Sequence, residues 1–371
     1  RILSYLPICH IFERAASYYY QYLGYQIHFA ESIELLGDNI REVKPHFLAV
    51  VPRLLEKIFD KIVDKGSQLS GIKKALFFWA ISLGEIYKPY GKNGSFYTFK
   101  LNIARKLIFS KWQEALGGNL EFMLSGSAPM QDRLIRVFLA AGIPIFEGYG
   151  MTESSPAITL NDLRNEGLKI GTVGKPLAGL DVKIASDGEI LMKGSSVMMG
   201  YYKNEEMTQK TIIDGYLHTG DIGEIDAEGF LKITDRKKEM FKTSGGKYIA
   251  PAVLESELKQ SRFIEQIMII GESEKMPAAL IQVNFEFAKD WATRKRLDPA
   301  TILTHERFIN RIQKEIDFHN QKFGKWEQIK RFELTTDEWS IEEGHLTPTL
   351  KMKRKVIKEK YKDLYQKIYN S

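Results

Sequence analysis

Two glycine-containing segments follow short apolar runs and carry residue types that a nucleotide site needs. The run 120–124 leads into Ser125 to Pro129, and the run 143–146 leads into Glu147 to Glu153. Glycine lets a backbone come close to a flat base or a phosphate. In the second segment the Thr152 hydroxyl can donate to a phosphate, and the Glu153 carboxylate suits a hard cation. Taken alone, Glu153 has the character of an ordinary surface carboxylate.

The surrounding pattern predicts a parallel α/β sheet. An apolar run at 44–52 is bounded by prolines, as a short buried strand would be, and a helix with one apolar face follows at 53–63. A second helix, over about 130–140, separates the two glycine-containing segments. Strand, turn, helix and strand in this order are typical of parallel α/β proteins. Ligands of such sheets bind at the carboxyl ends of the strands, where both segments fall.

From residue 171 the pattern changes to short alternating runs. Turns at Gly188, Gly194 and Gly200 separate these runs, which predicts a small β-barrel. The last part, 222–233, reads as a β-hairpin because alternating residues flank the four-residue connection from Asp226 to Gly229.

A charged joint, 235–238, then leads to an α+β pattern. Pro251 opens a predicted helix, because its fixed φ suits a first turn. A helix is expected at 304–322 with Thr304 as its N-cap, and one basic amphipathic helix is expected at 351–368. Its inward residues are predicted to be Val356, Ile357, Tyr361, Leu364, Tyr365 and Ile368. Near the start of the chain, the aromatic residues of 12–23 are predicted to lie in the core.

The run 214–242 resembles the adenylate-forming superfamily, which comprises acyl-CoA synthetases, peptide-synthetase adenylation domains and firefly-type luciferases. The likeness is strongest to the fatty acyl-CoA synthetase signature. It extends over essentially the whole chain, as the later part of such an enzyme. It implies an α/β subdomain at 1–170, a β-barrel subdomain at 171–234 and a C-terminal α+β lid domain at 235–371.

In the first two subdomains the resemblance implies an ATP site that uses Mg²⁺. Glu153 would bind the metal, Thr152 would contact phosphate, and His10 would line the acyl pocket. The remaining nucleotide-binding residues would be Gly126, Ser127, Ala128, Pro129, Glu147, Gly148, Tyr149 and Gly150.

Around the joint, the resemblance assigns Asp221 and Arg236 to the ribose of ATP and Asp235 to a hinge. Lys242 would serve thioester formation. The loop on the CoA side would contain Gly245, Gly246 and Lys247.

The last motif, Leu346 to Arg354, resembles the one whose lysine catalyses adenylation, and the arginine three residues on places that role on Lys351. The family usually has glycine before this lysine, and Leu350 stands there instead.

The superfamily's phosphate loop, rich in glycine, serine and threonine, has no counterpart in the sequence, and no G-x-x-x-x-G-K-[ST] motif occurs. In the family this loop lies upstream of the segment at Leu6. The chain begins at Arg1 with a strand-like pattern and shows no signal peptide, and we interpret it as part of a longer protein. We expect the isolated chain to be catalytically inactive.

Composition limits the partners. The 371 residues carry a formal charge of +6, which suits anionic ligands such as nucleotides, CoA or a membrane surface. The single cysteine, Cys9, excludes an intramolecular disulfide and fits a cytoplasmic protein. No apolar run approaches the ~20 residues of a membrane-spanning helix. Residues 72–116 combine aromatic and basic residues, which indicates either a helical core with a solvated face or a surface that meets membrane or acyl substrate. No nucleic-acid-binding module is recognised.

The resemblance implies a long-chain fatty acid–CoA ligase. ATP would convert the fatty acid to acyl-AMP with release of pyrophosphate, and the CoA thiol would then displace AMP. The resemblance also implies that rotation of the lid domain about the hinge separates the two steps. One alternative is an adenylate-forming enzyme for an aryl or short acid. Another is a non-catalytic module that binds a membrane or a partner, which the missing phosphate loop favours.

Overall fold

The computed structural model describes residues 1–347 and 350–370, so that Pro348 and Thr349 of the final motif lie outside the described residues. The chain divides into two units. The first contains Arg1–Thr219 and Gly223–Ile233, and the second contains Gly220–Ile222 and the residues from Thr234 onward. The lid domain was expected to begin at Asp235, one residue after the second unit's main segment begins.

A seven-stranded sheet forms the centre of the first unit. Its strands are β1 (Ile2–Ser4), β2 (Ile27–Phe29), β3 (Phe47–Val50), β4 (Phe122–Ser125), β5 (Ile145–Gly150), β6 (Ala157–Leu160) and β7 (Lys175–Pro176). The order is β2-β1-β3-β4-β5-β6-β7, with β1 to β5 parallel and β6 and β7 antiparallel. The predicted parallel α/β sheet is therefore confirmed.

Helices cover this sheet. They are α1 (Ile11–Tyr22), α2 (Leu36–Val43), α3 (Pro52–Ser67), α4 (Gly71–Glu85), α5 (Ser95–Ala104), α6 (Ser110–Ala115) and α7 (Asp132–Ala140), with a π-helical turn at Arg105–Phe109 between α5 and α6. Pro52 is the first residue of α3, where the missing amide hydrogen costs no helical hydrogen bond. Leu55 of α3, Met123 of β4 and Phe138 of α7 are fully buried in one core.

A second, antiparallel sheet occupies the region for which a small barrel was predicted. It consists of β8 (Asp181–Ile184), β9 (Glu189–Lys193), β10 (Ile212–Ile213), β11 (Tyr216–Ile225) and β12 (Leu231–Arg236), and a short helix, α8 (Glu205–Thr211), precedes β10. The order is β10-β11-β9-β8, with β12 paired to β11. Asp226 closes the β11–β12 turn by accepting from the amides of Glu228 and Phe230, at 2.9 and 3.0 Å. The predicted hairpin is confirmed.

The second unit has α+β architecture, as predicted. Its elements are β13 (Phe241–Lys242), β14 (Tyr248–Ile249), α9 (Pro251–Leu258), β15 (Ile264–Ile270), β16 (Ala278–Val283), α10 (Phe285–Arg294), α11 (Glu306–Asn320), β17 (Phe332–Thr335), α12 (Arg354–Lys360) and α13 (Lys362–Asn370). Strand β16 pairs antiparallel with β15 and parallel with β17. Phe308, Ile312 and Ile316 of α11 pack against this sheet.

Three local predictions were wrong. Of the tyrosines in α1, Tyr20 is buried as predicted, but Tyr18, Tyr19 and Tyr22 are exposed rather than part of the core. Helix α11 is capped by His305, whose Nδ1 accepts from the Arg307 amide, because 299–304 forms a separate 3₁₀ helix. The C-terminal helix is two helices interrupted at Tyr361, and Val356 of the first one is exposed.

Candidate active site

The two glycine-containing segments lie side by side at the carboxyl edge of the parallel sheet. Strands β4 and β5 are adjacent, with Ser125 opposite Glu147. Ser127 has a φ of 75°, a left-handed conformation that turns the chain sharply after β4. The Ser125 hydroxyl is buried and has no hydrogen-bond partner among the described residues. An unsatisfied polar atom at this edge is consistent with a ligand that supplies the partner.

Glu147 connects the two segments. Its Oε1 accepts a hydrogen bond from the Met130 amide at 3.3 Å, and the side chain is buried. Burial, followed by the negative charge of Asp132, raises the pKa of Glu147 to about 8, against the opposing effect of the Met130 amide. At neutral pH the carboxyl therefore carries a proton. It links the two segments by a hydrogen bond and adds no negative charge beside them.

Gly150 is required because the backbone at Pro156 passes very close to it. A Cβ on this residue would lie 1.6 Å from the Pro156 carbonyl oxygen, which no side chain can tolerate. The neighbouring Tyr149 and Met151 pack against an apolar cluster that includes Ile158. The backbone of the Tyr149–Gly150 segment is thereby fixed against β6.

A 3₁₀ turn, Thr152–Ser154, presents the predicted metal ligand. The buried Ser154 hydroxyl stabilises it by accepting from the Met151 amide and by hydrogen-bonding to the Pro156 carbonyl oxygen at 2.7 Å. The Tyr201 hydroxyl donates to Glu153 Oε1 at 2.9 Å, which orients the carboxylate. Sequence reasoning missed Tyr201, although it directly follows Gly200, one of the predicted turn glycines.

The Glu153 carboxylate fits Mg²⁺ as a single protein ligand. Mg²⁺ is commonly held by one or two carboxylates together with waters and substrate phosphates. No group of three or more histidine, cysteine, aspartate or glutamate residues that could hold a metal occurs in the described part of the chain. Any ion at this position would therefore depend on substrate oxygens for most of its coordination.

His10 is the N-cap of α1, and its backbone is extended. Its neighbour Phe12 lies beside the first segment, because a Cβ on Gly126 would be 3.7 Å from the Phe12 ring. The start of α1 is therefore close to the carboxyl end of β4. The assignment of His10 to an acyl pocket remains a prediction.

In the second unit, Asp221 and Arg236 form an ion pair. The Arg236 Nε lies 3.2 Å from Asp221 Oδ1, and the Asp221 side chain is mostly buried whereas that of Arg236 is half exposed. The Lys237 amide donates to the Gly220 carbonyl oxygen at 2.8 Å and fixes the two strand segments in register. The two residues predicted to bind ribose are thus adjacent.

The backbone of Lys351 is hydrogen-bonded to Thr347. Its amide donates to Thr347 Oγ1 at 3.0 Å, and its carbonyl oxygen accepts from the Thr347 amide at 2.8 Å. Leu350 has a φ of 61°, a left-handed conformation that glycine adopts readily. This explains why the family usually has glycine at this position. A leucine in this conformation is strained, and its partly buried side chain packs against an apolar cluster that includes Met352.

The environment of Lys351 lowers its pKa. Surrounding protein atoms remove part of the hydration of the ammonium group, although the side chain still reaches solvent, and the Arg236 charge acts in the same direction. Asp221 and Glu239 oppose the shift. Lys351 therefore lies close enough to the Asp221–Arg236 pair to feel both charges.

Arg354 anchors the segment that follows. Its Nη2 donates to Glu255 Oε2 at 2.6 Å, and its Nε lies 3.4 Å from Glu239 Oε2. Glu255 is buried, and its other oxygen accepts from the Ile269 amide at 2.7 Å. The end of the Lys351 segment is therefore attached to α9 and β15.

The predicted hinge residue, Asp235, is buried within the same group of charges. Burial, followed by the negative charges of Glu239 and Glu255, raises the pKa of Asp235 to about 7, against the Arg236 amide and the Arg354 charge. Its Oδ2 has no hydrogen-bond partner among the described residues. Because its pKa is about 7, the Asp235 carboxyl gains or loses its proton near neutral pH.

Lys242 lies on a short hairpin that the sequence did not predict. It pairs with Tyr248 between β13 and β14, and its ammonium nitrogen is 4.5 Å from the centre of the Tyr248 ring. The connection contains Gly245, Gly246 and Lys247, with Gly246 at a φ of 74°. Lys247 and Lys242 are both exposed.

Residues 1–202 match the family described as AMP-binding enzyme, and residues 239–371 match the AMP-binding enzyme C-terminal domain. The chain belongs to the AMP-binding enzyme family. These matches confirm the expected resemblance to adenylate-forming enzymes, and the relatives given next confirm the likeness to fatty acyl-CoA ligases. No described helix is both long and apolar enough to cross a membrane.

The chain is 34% identical over 377 residues to a long-chain-fatty-acid–CoA ligase of Mycobacterium bovis, covering 100% of the chain and 62% of the relative. It is 32% identical over 391 residues to a long chain acyl-CoA synthetase of Arabidopsis thaliana, covering 100% of the chain and 58% of the relative. The fold matches the adenylation domain of a carboxylate reductase from Mycobacterium chelonae with a TM-score of 0.74 and 20% identity, covering 100% of the chain and 54% of that structure.

Proposed function

We propose that the protein to which this chain belongs activates a long-chain fatty acid and transfers it to CoA. ATP and the fatty acid give acyl-AMP and pyrophosphate, and the CoA thiol then displaces AMP to give the acyl thioester. The two relatives named above, both long-chain acyl-CoA ligases, support this assignment. The chain spans about three fifths of their lengths, and the complete reaction also requires a phosphate-binding loop, which its sequence lacks.

The first unit would hold the base and the phosphates. The glycine-containing segments after β4 and β5 would receive the adenine, with Tyr149 as an aromatic face. Thr152 would donate to phosphate, and Glu153, oriented by Tyr201, would hold Mg²⁺. Bound Mg²⁺ would neutralise negative charge on the phosphate oxygens.

The observation that carries the proposal is the grouping of Asp221, Arg236 and Lys351 in the second unit. Asp221 and Arg236 offer a hydrogen-bond acceptor and donors to ribose hydroxyls, held 3.2 Å apart. Lys351 lies close enough for both charges to affect its pKa. A cation directed at developing negative charge is what acyl-adenylate formation requires.

The two steps would use different lysines. Lys351 would stabilise adenylate formation, and Lys242 would serve thioester formation, with Asp235 as the hinge between the two arrangements. A lysine suits either task because its ammonium is a compact charge on a flexible side chain. The exposed hairpin at Gly245, Gly246 and Lys247 would then lie on the CoA side.

An acid panel tests this proposal. It uses a loop-containing enzyme, defined here as residues 1–371 preceded by a segment that carries the phosphate loop. Pyrophosphate release and CoA-dependent AMP formation are measured with acetate, benzoate, octanoate and palmitate. We expect the highest kcat/KM with palmitate, and preference for acetate or benzoate would contradict the long-chain assignment.

The panel also distinguishes a non-catalytic module, which the missing loop would otherwise favour. A module of that kind would release no pyrophosphate with any acid, even when the loop is supplied. A Glu153→Gln variant serves as the negative control, since it keeps the Tyr201 contact but removes the charge for the metal.

A further inference from the structure

A continuous apolar stripe lies on the outer face of the helical segment 95–115. Phe96, Phe99, Ile103 and Leu107 are exposed to 70%, 63%, 37% and 47%. Their spacings of three, four and four residues place them on one side of a helix. Two adjacent phenylalanines with most of their surface in water are costly unless another apolar phase covers them.

The opposite side of the same segment is firmly attached to the protein. Leu101, Ala104 and Trp112 are buried in the first unit's core. The Tyr97 hydroxyl donates to the Leu83 carbonyl oxygen at 2.5 Å, and Arg105 Nε donates to the Ala140 carbonyl oxygen at 2.8 Å. The stripe is therefore the outward face of a docked helix and not a face that could turn inward.

The stretch of sequence that contains the stripe carries charge of one sign. From Ile86 to Gln113 the sequence contains no aspartate or glutamate, whereas it contains six basic residues: Lys88, Lys92, Lys100, Arg105, Lys106 and Lys111. Lys100 directly follows Phe99 and Lys106 directly precedes Leu107, so both border the stripe, and the exposed Lys111 lies just beyond the π-helical turn. These three lysines form no ion pair within the described part of the chain, and the Lys100 ammonium lies 4.2 Å from the centre of the Phe96 ring.

We propose that this stripe docks on an anionic lipid surface. Phenylalanine and leucine side chains would enter the boundary between headgroups and acyl chains, and the flanking lysines would contact lipid phosphates. A membrane supplies both an apolar phase and a dense negative charge at the same depth, which matches an apolar stripe bordered by lysines. This docking does not depend on the proposed ligase activity.

Vesicle co-sedimentation of the 371-residue chain tests the proposal. We expect binding to phosphatidylcholine vesicles that contain about 30% phosphatidylglycerol, weak binding to phosphatidylcholine alone, and loss of binding as salt is raised. Phe96→Ser with Phe99→Ser should weaken binding at least about ten-fold. Each basic residue near an anionic surface strengthens binding about five-fold, so Lys100→Glu with Lys106→Glu should weaken it about 25-fold or more.

Matched controls lie in the second unit. Phe318 is exposed to 63%, as Phe99 is, and Lys289 is exposed on α10. Phe318→Ser and Lys289→Glu should leave vesicle binding unchanged. Lys100 is half-buried and the other replaced side chains are exposed, and equal thermal unfolding temperatures verify that the variants are folded.

Several outcomes would overturn the proposal. One is equal binding to both kinds of vesicle, and another is no binding to either, which would point to a protein partner. Equal losses in the stripe variants and the control variants would show that binding is non-specific. Binding by the 371-residue chain but not by the loop-containing enzyme would show that another part of the polypeptide covers the stripe.

Discussion

Removing Arg354 should destabilise the second unit far more than removing an exposed arginine. The Arg354 and Glu255 side chains are exposed to only 25% and 8%, and Glu255 also holds the Ile269 amide. An Arg354→Met variant leaves Glu255 buried without its cation, next to Asp235 and Glu239. Breaking a buried pair in this way costs about 3–5 kcal/mol.

The pH dependence of this loss follows from the same contacts. Burial raises the pKa of Glu255, and Arg354 opposes that shift. Without Arg354 the pKa of Glu255 should rise further above its value in the unfolded chain. When folding raises the pKa of an acid, the protein loses free energy of unfolding as the pH rises toward the folded pKa. The destabilisation of the variant relative to the parent should therefore be larger at about pH 8 than at about pH 5.

Hydrogen exchange at the Ile269 amide measures this locally, because that amide donates to Glu255. The control is Arg294→Met, which removes an ion pair with Asp290 in which both side chains are about 60% exposed. Pairs of that kind contribute about 0.2–1 kcal/mol. If Arg354→Met changes the opening free energy by no more than Arg294→Met does, or equally at both pH values, our account of the cluster is wrong.

Three other predictions concern the active site and the hinge. Burial raises the pKa of Glu147 to about 8, so the parent should lose free energy of unfolding between about pH 4.5 and 8 as this carboxyl becomes charged. Glu147→Gln cannot become charged, so its free energy of unfolding should fall less over this range and exceed that of the parent at about pH 9. Urea titrations measure both quantities. An unchanged pH profile would contradict the burial of this carboxyl. The 371-residue chain without the phosphate loop should show no fatty-acid-dependent ATP–pyrophosphate exchange, and exchange above background would refute this. In the loop-containing enzyme, Asp235→Pro should impair one half-reaction far more than the other, since proline fixes φ. Equal loss of both, with the fold intact, would argue against a hinge at this residue.

Features with local signals were predictable. The hairpin of β11 and β12 follows from alternation on both sides of a turn that ends in Gly229, whose φ is 84°. The position of the glycine-containing segments follows from parallel topology, because adjacent parallel strands end at one edge. Tyr18, Tyr19 and Tyr22 of α1 were misplaced, whereas Tyr20 is buried, because helical spacing does not establish which face another layer covers.

Long-range pairs gave no such signal. Tyr201 and Glu153 are 48 residues apart, and Arg354 and Glu255 are 99 residues apart. Neither pair belongs to a periodic pattern, so only the folded backbone reveals that they meet. The unpaired oxygen of Asp235 was equally hidden, because the burial of a charged joint depends on elements that pack on it from later in the chain.

Single-turnover kinetics of each half-reaction, in the loop-containing enzyme, tests the central claim most directly. The claim is that Lys351 serves adenylation and Lys242 serves thioester formation. Losing one contact to a developing anion typically costs ~10²–10³ in rate. Lys351→Ala should slow acyl-adenylate formation by about that factor and leave thioester formation from supplied acyl adenylate nearly intact, and Lys242→Ala should do the reverse. Lys353→Ala is the control and should alter neither step much. If Lys353→Ala abolishes adenylation while Lys351→Ala does not, the final motif is misassigned, and if Lys351→Ala and Lys242→Ala impair both steps alike, the division of labour is wrong.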